Sequence, residues 1–216
     1  MSELTLKNAK YTFNILGNAI REIEVKTDDF VRSINFVEKN WPDNTKLLNF
    51  YRASIQLNLM ALDYCAAIRL YLSGTTFYEE RFAIKSLIVN SKESYKRLYG
   101  FTESSRNNGL WRKYLKPLSE NFTKLCKEAE NIEISLSQFN DPLITDDKQS
   151  RDVAVHYSDN YLENYNLLKD LDAELVVHGS AELNKIIILI RAYIFHVGIE
   201  YGIIDNTSSA AKTSPE

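Results

Sequence analysis

The chain has 216 residues, of which 44% are hydrophobic and 25% are charged, and its formal net charge is −3. This length and composition are those of a folded globular protein that can bury a sizeable core. The slightly negative charge excludes non-specific nucleic-acid binding through the overall charge, so any contact with RNA must be local.

Glycine and proline are scarce, with 7 Gly and 4 Pro in the whole chain. Because these residues interrupt regular structure, their scarcity favours long helices over many short strands. We therefore predict an all-α fold, an antiparallel helical bundle of about five to seven helices. We expect a single bundle domain over residues 1–204 with a long N-terminal helix. Residues 205–216 are small and polar, and we expect a disordered C-terminal tail there.

Apolar residues repeat at helical spacing from about Leu4 to Trp41 and predict one long first helix. Thr27-Asp28-Asp29 interrupts this pattern, so a kink at that point is left open. Asn44 or Thr45 is expected to cap a second helix that ends at Ser73. A third helix is expected from Thr75 or Thr76 to Tyr99-Gly100.

In the second half of the chain, the sequence pattern predicts shorter elements. Residues 104–109 form a polar loop, a short helical piece begins at Leu110-Trp111, and a helix is expected from Pro117 to about Phe139. A further helix is predicted from Leu167 to Val177 and ends at His178-Gly179. Ser180-Ala181-Glu182 is then expected to cap a last helix that continues to Tyr201.

The sequence lacks several features that would indicate a metal site, secretion or membrane insertion. Cys65 and Cys126 are isolated, and no C-x-x-C or Cys/His cluster is present, so we predict no disulfide framework, no metal and no cofactor. The N-terminus, Met1-Ser2-Glu3-Leu4, lacks the basic and apolar regions of a signal peptide, and a cytoplasmic location is the expectation. The apolar run at 186–190 lies between Lys185 and Arg191 and is too short to span a membrane.

One short stretch carries candidate chemistry, Arg151-Asp152-Val153-Ala154-Val155-His156-Tyr157. Thr145-Asp146-Asp147 before it is expected to cap a helix that carries the stretch. On a helix, Asp152 and His156 share a face, so the carboxylate can orient the imidazole and favour its charged form. Arg151 would lie about 140° round the helix from His156 and would curl back over the helix start. The alternative, that Arg151 and His156 only stabilise a loop-to-helix junction, stays open.

The same R-x4-H spacing occurs a second time, from Arg191 to His196. This pair lies in the most apolar predicted helix, and its arginine is followed by Ala192 and not by a polar residue. We interpret the second match as a coincidence and expect His196 to be a hydrogen-bonded residue of the core or of an interface.

The stretch from Arg151 to His156 resembles the R-x4-H signature of the HEPN family, α-helical bundles in which a polar residue commonly follows the arginine. Tyr157, directly after the histidine, is also similar to the family pattern. The general resemblance covers about Thr45 to Tyr201, but only Arg151–Tyr157 is specific. It implies catalytic roles for Arg151, Asp152 and His156, and a substrate contact for Tyr157.

Many HEPN proteins are metal-independent endoribonucleases, and the chemistry suits the residues. Histidine can transfer protons near neutral pH, and arginine grips phosphate oxygens in a bidentate fork. One motif supplies one imidazole, so a two-fold homodimer that brings two motifs together would complete the set. The expectation is an endoribonuclease that cuts RNA by 2′-hydroxyl attack, placed in defence or toxin–antitoxin systems by family analogy alone. The alternative is a non-catalytic helical interaction or antitoxin-like module that binds a protein partner.

Overall fold

A computed structural model describes residues 3–145, 166 and 169–203, with side chains from Lys10 onward. Within these ranges the regular structure is helical and no strand occurs, which confirms the predicted all-α bundle. The longer helices are α1 (Glu3–Asn40), α2 (Thr45–Ser73), α3 (Phe77–Leu98), α5 (Thr123–Gln138) and α7 (Ala173–Glu200). The shorter pieces are α4 (Glu103–Arg106), a π-helix (Trp111–Leu115), a 3₁₀-helix (Lys116–Ser119) and α6 (Pro142–Thr145).

The starts of α2 and α3 follow local capping signals. The Asn44 side chain accepts a hydrogen bond from the Leu47 N–H at 3.1 Å. Thr76 and Glu79 form a reciprocal capping box at the start of α3. Each arrangement satisfies backbone N–H groups that have no partner inside the helix, so the sequence fixes both helix starts closely.

Helix α1 is continuous through Thr27-Asp28-Asp29, where the sequence left a kink open. The Thr27 hydroxyl donates to the Ile23 carbonyl at 2.7 Å, one turn earlier in the same helix. The hydroxyl also accepts a hydrogen bond from the Asn58 side chain of α2 at 3.0 Å. Thr27 therefore joins α1 to α2 and caps no second segment.

The core consists of two groups of buried residues. The larger lies between α2, the end of α3, the π-helix, α5 and α7, and includes the fully buried Trp111 and Tyr193. The Tyr193 hydroxyl donates to the Leu115 carbonyl at 3.0 Å, and burial raises the pKa of this tyrosine. The smaller group, the α3 cluster, is centred on Ile84, Leu87 and Ile88 and includes Val176 of α7. Helix α1 packs mainly along α2.

The chain after α3 doubles back on the end of that helix. Gly100 has a φ of 86°, a left-handed conformation that glycine adopts without strain. A Cβ on Gly109 would lie 2.9 Å from the Leu98 carbonyl oxygen, so glycine permits the close approach. The predicted polar loop at 104–109 overlaps the single turn of α4, which begins at Glu103 and is capped by Thr102.

The helix predicted from Pro117 begins later than expected. Pro117 lies in the 3₁₀-helix, and α5 starts only at Thr123. Between them Phe122 has an extended backbone, with φ −134° and ψ 107°, and its ring packs against Tyr201 at a centroid distance of 5.2 Å. This contact with the residue that follows α7 accompanies the break between the two helices, and the sequence around Phe122 gives no sign of it.

The predicted break at His178-Gly179 is wrong, because α7 runs through it without interruption from Ala173 to Glu200. The Asp172 side chain caps this helix and accepts from the N–H groups of Glu174 and Leu175. Gly179 is buried inside the helix, and a Cβ there would lie only 1.9 Å from Asp141 Oδ2. The glycine therefore makes room for a neighbouring segment and does not end a helix.

Ser180 is likewise no cap, since its hydroxyl accepts a hydrogen bond from the Ser91 hydroxyl of α3 at 2.9 Å. None of the helices that the structure describes combines the length and apolar character needed to cross a membrane.

Candidate functional sites

The residues that the sequence singles out, Arg151, Asp152, His156 and Tyr157, lie outside the described residues. The same holds for Asp146-Asp147 in the predicted capping region and for the predicted tail at 205–216. Thr145, expected in that capping region, is the last residue of α6. For the motif, the structure therefore provides the positions of the described residues that precede and follow it.

Both flanks of the motif segment are anchored on the α3 cluster. Leu143 of α6 and Leu171, just before α7, pack against the same buried residues. Arg81 of α3 also donates to the Leu171 carbonyl at 2.5 Å. The described residues on the two sides of the motif segment therefore pack against the same part of the bundle.

Beside these flanks lies an open groove of about 470 Å³ between the end of α5 and the first half of α7. It brings together groups of both charges, and its polar lining residues include Asp141, His178, Glu182 and Lys185. Lys185 Nζ lies 2.5 Å from Glu182 Oε1, and this hydrogen bond lowers the pKa of Glu182. Asp141 Oδ1 accepts from the Leu143 N–H at 2.9 Å, so this carboxylate also holds α6 in place.

Sequence reasoning assigned His178 to a helix end and missed its place beside the groove. The local signal at this position is Gly179, and a glycine after a run of helical periodicity is typical of a helix end. Its actual role depends on Asp141, a residue remote in sequence, so no pattern around Gly179 could reveal it.

The second R-x4-H pair is held by two different neighbouring helices. Arg191 Nε donates to Asn58 Oδ1 of α2 at 3.1 Å, and burial lowers the pKa of this arginine. His196 Nδ1 lies 2.7 Å from Glu128 Oε2 of α5. The arginine therefore faces α2 and the histidine faces α5. The structure agrees with the interpretation of His196 as a hydrogen-bonded residue, and the pair shares no cleft.

Arg191→Ala is expected to lower the free energy of unfolding by about 1–3 kcal/mol, because it leaves the oxygen of a buried amide without its donor. Asn58 is 3% exposed and supplies that oxygen. Urea unfolding measures the effect. Arg52→Ala is the matched control, because Arg52 pairs with Glu38 on the surface and such pairs contribute at most about 1 kcal/mol. Equal losses for the two variants would contradict a stabilising role for the Arg191–Asn58 contact.

A polar cluster that sequence reasoning missed surrounds Glu133 of α5, whose side chain is 17% exposed. Its carboxylate accepts from Trp111 Nε1 at 2.8 Å, from Arg112 Nε at 2.8 Å and from Arg112 Nη2 at 2.6 Å. Lys116 Nζ at 3.3 Å and the Tyr99 hydroxyl at 3.1 Å complete the set.

The pKa values in this cluster follow from these contacts. Burial raises the pKa of Glu133, but the hydrogen bonds from Arg112 and Trp111 and the nearby Lys116 outweigh burial and leave it below its usual range. The hydrogen bond to Glu133 in turn raises the pKa of Arg112. Every oxygen of the carboxylate is engaged, so the cluster ties α5 to the π-helix and to the end of α3.

Within the described ranges, no group of three or more His, Cys, Asp or Glu side chains is arranged to hold a metal ion. Cys65 and Cys126 are both free thiols. Burial raises the pKa of the Cys65 thiol, while the Cys126 thiol donates to the Ser119 carbonyl at 3.2 Å.

No known family model matches this chain, and neither a curated protein nor a solved structure is significantly similar to it. Inference about its function therefore rests on its own residues.

Proposed function

We propose that the chain is a HEPN-like, metal-independent endoribonuclease that acts as a homodimer. The observation that carries the proposal is the sequence from Arg151 to Tyr157 in a chain whose described parts form an all-helical bundle. A role in defence or in a toxin–antitoxin system is part of the proposal by analogy with the family.

The proposed reaction is transesterification within the RNA backbone. His156 of one subunit removes the proton from a 2′-hydroxyl, and the 2′-oxygen attacks the adjacent phosphorus. The bond from phosphorus to the 5′-oxygen breaks, and His156 of the other subunit donates the proton that this oxygen needs. The products are a 2′,3′-cyclic phosphate and a free 5′-hydroxyl.

The neighbouring residues serve this proton transfer. Arg151 binds the phosphate oxygens through its fixed positive charge and stabilises the charge that builds up on phosphorus. Asp152 orients the imidazole of His156, and Tyr157 contacts the substrate. The anchoring of Leu143 and Leu171 on the α3 cluster supports the proposal, because it ties both ends of the motif segment to a packed part of the bundle.

The wild-type protein is expected to cleave single-stranded RNA in the presence of EDTA, because the proposed chemistry uses no metal. The product ends, identified by mass spectrometry, should be 2′,3′-cyclic phosphates. RNA of the same sequence with 2′-O-methyl groups is the matched control and should stay intact, since it lacks the nucleophile. Cleavage of the methylated RNA, or activity only with added metal, would contradict the mechanism.

A second candidate function is a non-catalytic interaction or antitoxin-like module. The half-exposed apolar side chains of α7 favour it, because exposed apolar surface of this kind marks contact sites for other proteins. A folded, dimeric protein that leaves a broad panel of RNAs intact would favour this function over the first.

A further inference from the structure

Helix α7 carries a stripe of exposed apolar side chains along the side that faces away from the core. Ile188 is 51% exposed, Leu189 50% and Phe195 42%. Ala192 between them is exposed, and Ile199 near the helix end is half-buried. Single exposed apolar residues are normal on a protein surface, but a continuous stripe on one helix indicates a contact surface.

The spacing of this stripe is that of a coiled-coil seam. Its positions are separated alternately by three and four residues, which keeps them in line along a helix that packs against a second helix. Leu189 lies beside the seam and widens it. The residues of the seam, called here the α7 face, are Lys185, Ile188, Ala192, Phe195 and Ile199.

The α7 face is complementary to a second copy of itself that runs in the opposite direction. Lys185 lies seven residues before Ala192, and Glu200, adjacent to Ile199, lies eight residues after it, so opposite charges flank a small central residue. A two-fold axis near Ala192 would place Lys185 of each copy beside Glu200 of the other. It would also place Ile188 of each copy near Phe195 of the other, which is the reciprocal arrangement of an isologous interface.

We propose that two copies of this chain pair through the α7 face, with their α7 helices antiparallel and the two-fold axis next to Ala192. The small side chain at the axis lets the two helices approach to about 8 Å, the close end of the range for packed helices. A parallel pair is disfavoured, because it would set Lys185 against Lys185 and Glu200 against Glu200.

The charges at the two ends of the α7 face indicate that a second copy of this chain binds there. Lys185 and Glu200 of one protomer are fifteen residues apart, or about 22 Å along the helix, so they cannot pair with each other. In one protomer Lys185 contacts Glu182, at 2.5 Å. The pair forms only when another α7 lies antiparallel across the face.

Light scattering at increasing protein concentration tests the proposal. One helix face offers less than the roughly 800 Å² per partner of a standard interface, so we expect dissociation in about the micromolar range. Ile188→Glu and Phe195→Glu should each weaken the dimer at least about tenfold by placing a carboxylate in the seam. Ile134→Glu on α5 is the matched control, because Ile134 is also 51% exposed and lies off the face, and it should leave the dimer intact. Circular dichroism of each variant shows whether the bundle is still folded.

Charge exchange tests the direction of the helices. Lys185→Glu and Glu200→Lys should each weaken the dimer, and the double variant should restore it, because the pair is re-formed with reversed signs between copies. Ala192→Cys should form an inter-chain disulfide on mild oxidation, since the axis brings two equivalent positions together. Ile134→Cys, equally accessible, should not.

A particle that is monomeric up to about 100 μM would overturn the proposal. So would a dimer that survives Ile188→Glu and is not cross-linked through position 192, because it would then use another face. RNA cleavage is measured separately, so a confirmed α7 dimer that does not cut RNA would reject the proposed function and leave this inference standing.

Discussion

Replacing Glu133 with alanine is expected to reduce the free energy of unfolding by about 3 kcal/mol, because it removes a carboxylate that accepts hydrogen bonds from several buried or partly buried donors at once. Trp111 is fully buried, and its indole N–H donates to Glu133 at 2.8 Å. Without the carboxylate, the buried indole N–H loses its acceptor and keeps the cost of its lost solvation. Arg112 loses its two closest hydrogen bonds and keeps the longer contacts with Glu103 and the Tyr99 hydroxyl, each at 3.2 Å.

Urea unfolding of the wild type and the variant measures this loss. Glu130→Ala is the matched control, since Glu130 lies on the same helix but is exposed, and its loss should stay within about 0.5 kcal/mol. Equal losses for the two variants would mean that the cluster contributes nothing beyond surface charge.

The effect of Glu133 should also depend on pH. Because the folded state lowers the pKa of Glu133, its contribution is present above the ordinary glutamate pKa and is lost as the pH falls through the folded value. The difference in stability between wild type and Glu133→Gln should therefore be largest near pH 7 and shrink below about pH 4.

Replacing His156 with alanine is expected to reduce RNA cleavage by about 10²–10⁴-fold, the usual loss when an enzyme loses a general acid–base group. The thermal midpoint should hardly change, because a catalytic imidazole that faces substrate contributes little to packing. Arg151→Ala should also reduce cleavage, through lost stabilisation of charge on the phosphate.

The chain supplies a matched control in its second R-x4-H pair. His196→Ala removes an imidazole that bonds Glu128 at 2.7 Å, so it should change stability slightly and leave cleavage intact. A His156→Ala protein that unfolds would instead support a structural role for Arg151 and His156 at a helix junction. Equal loss of cleavage in both histidine variants would contradict the assignment of the first motif.

The parts of the fold that could be predicted are those with local causes. Asn44 and Thr76 bind N–H groups within three residues of themselves, so the starts of α2 and α3 are visible in the sequence. The break predicted at Gly179 failed because the residue that requires a glycine there is Asp141, which lies on another segment. The periodicity of apolar residues describes one helix at a time, so it does not reveal a contact with a residue of another segment.

The candidate sites also differ in whether local sequence or distant residues define them. The Arg151–His156 motif is a local pattern, found from its spacing together with the polar Asp152 that follows the arginine. The Glu133 cluster joins residues as far apart as Tyr99 and Glu133, and each of them by itself is an ordinary charged or aromatic side chain. The α7 face was visible only as a general apolar excess, because deciding which side of α7 is exposed requires the positions of α2, α3 and α5.

The shared anchoring of Leu143 and Leu171 has a consequence for how the chain can vary. Because both residues pack against the α3 cluster, this cluster supports α6 and the residues just before α7 at once. A substitution that leaves a cavity in the cluster, such as Leu87→Ala, would remove apolar support from both of these segments. Variation at the buried positions of α3 is therefore limited by two neighbouring segments that are far apart in sequence.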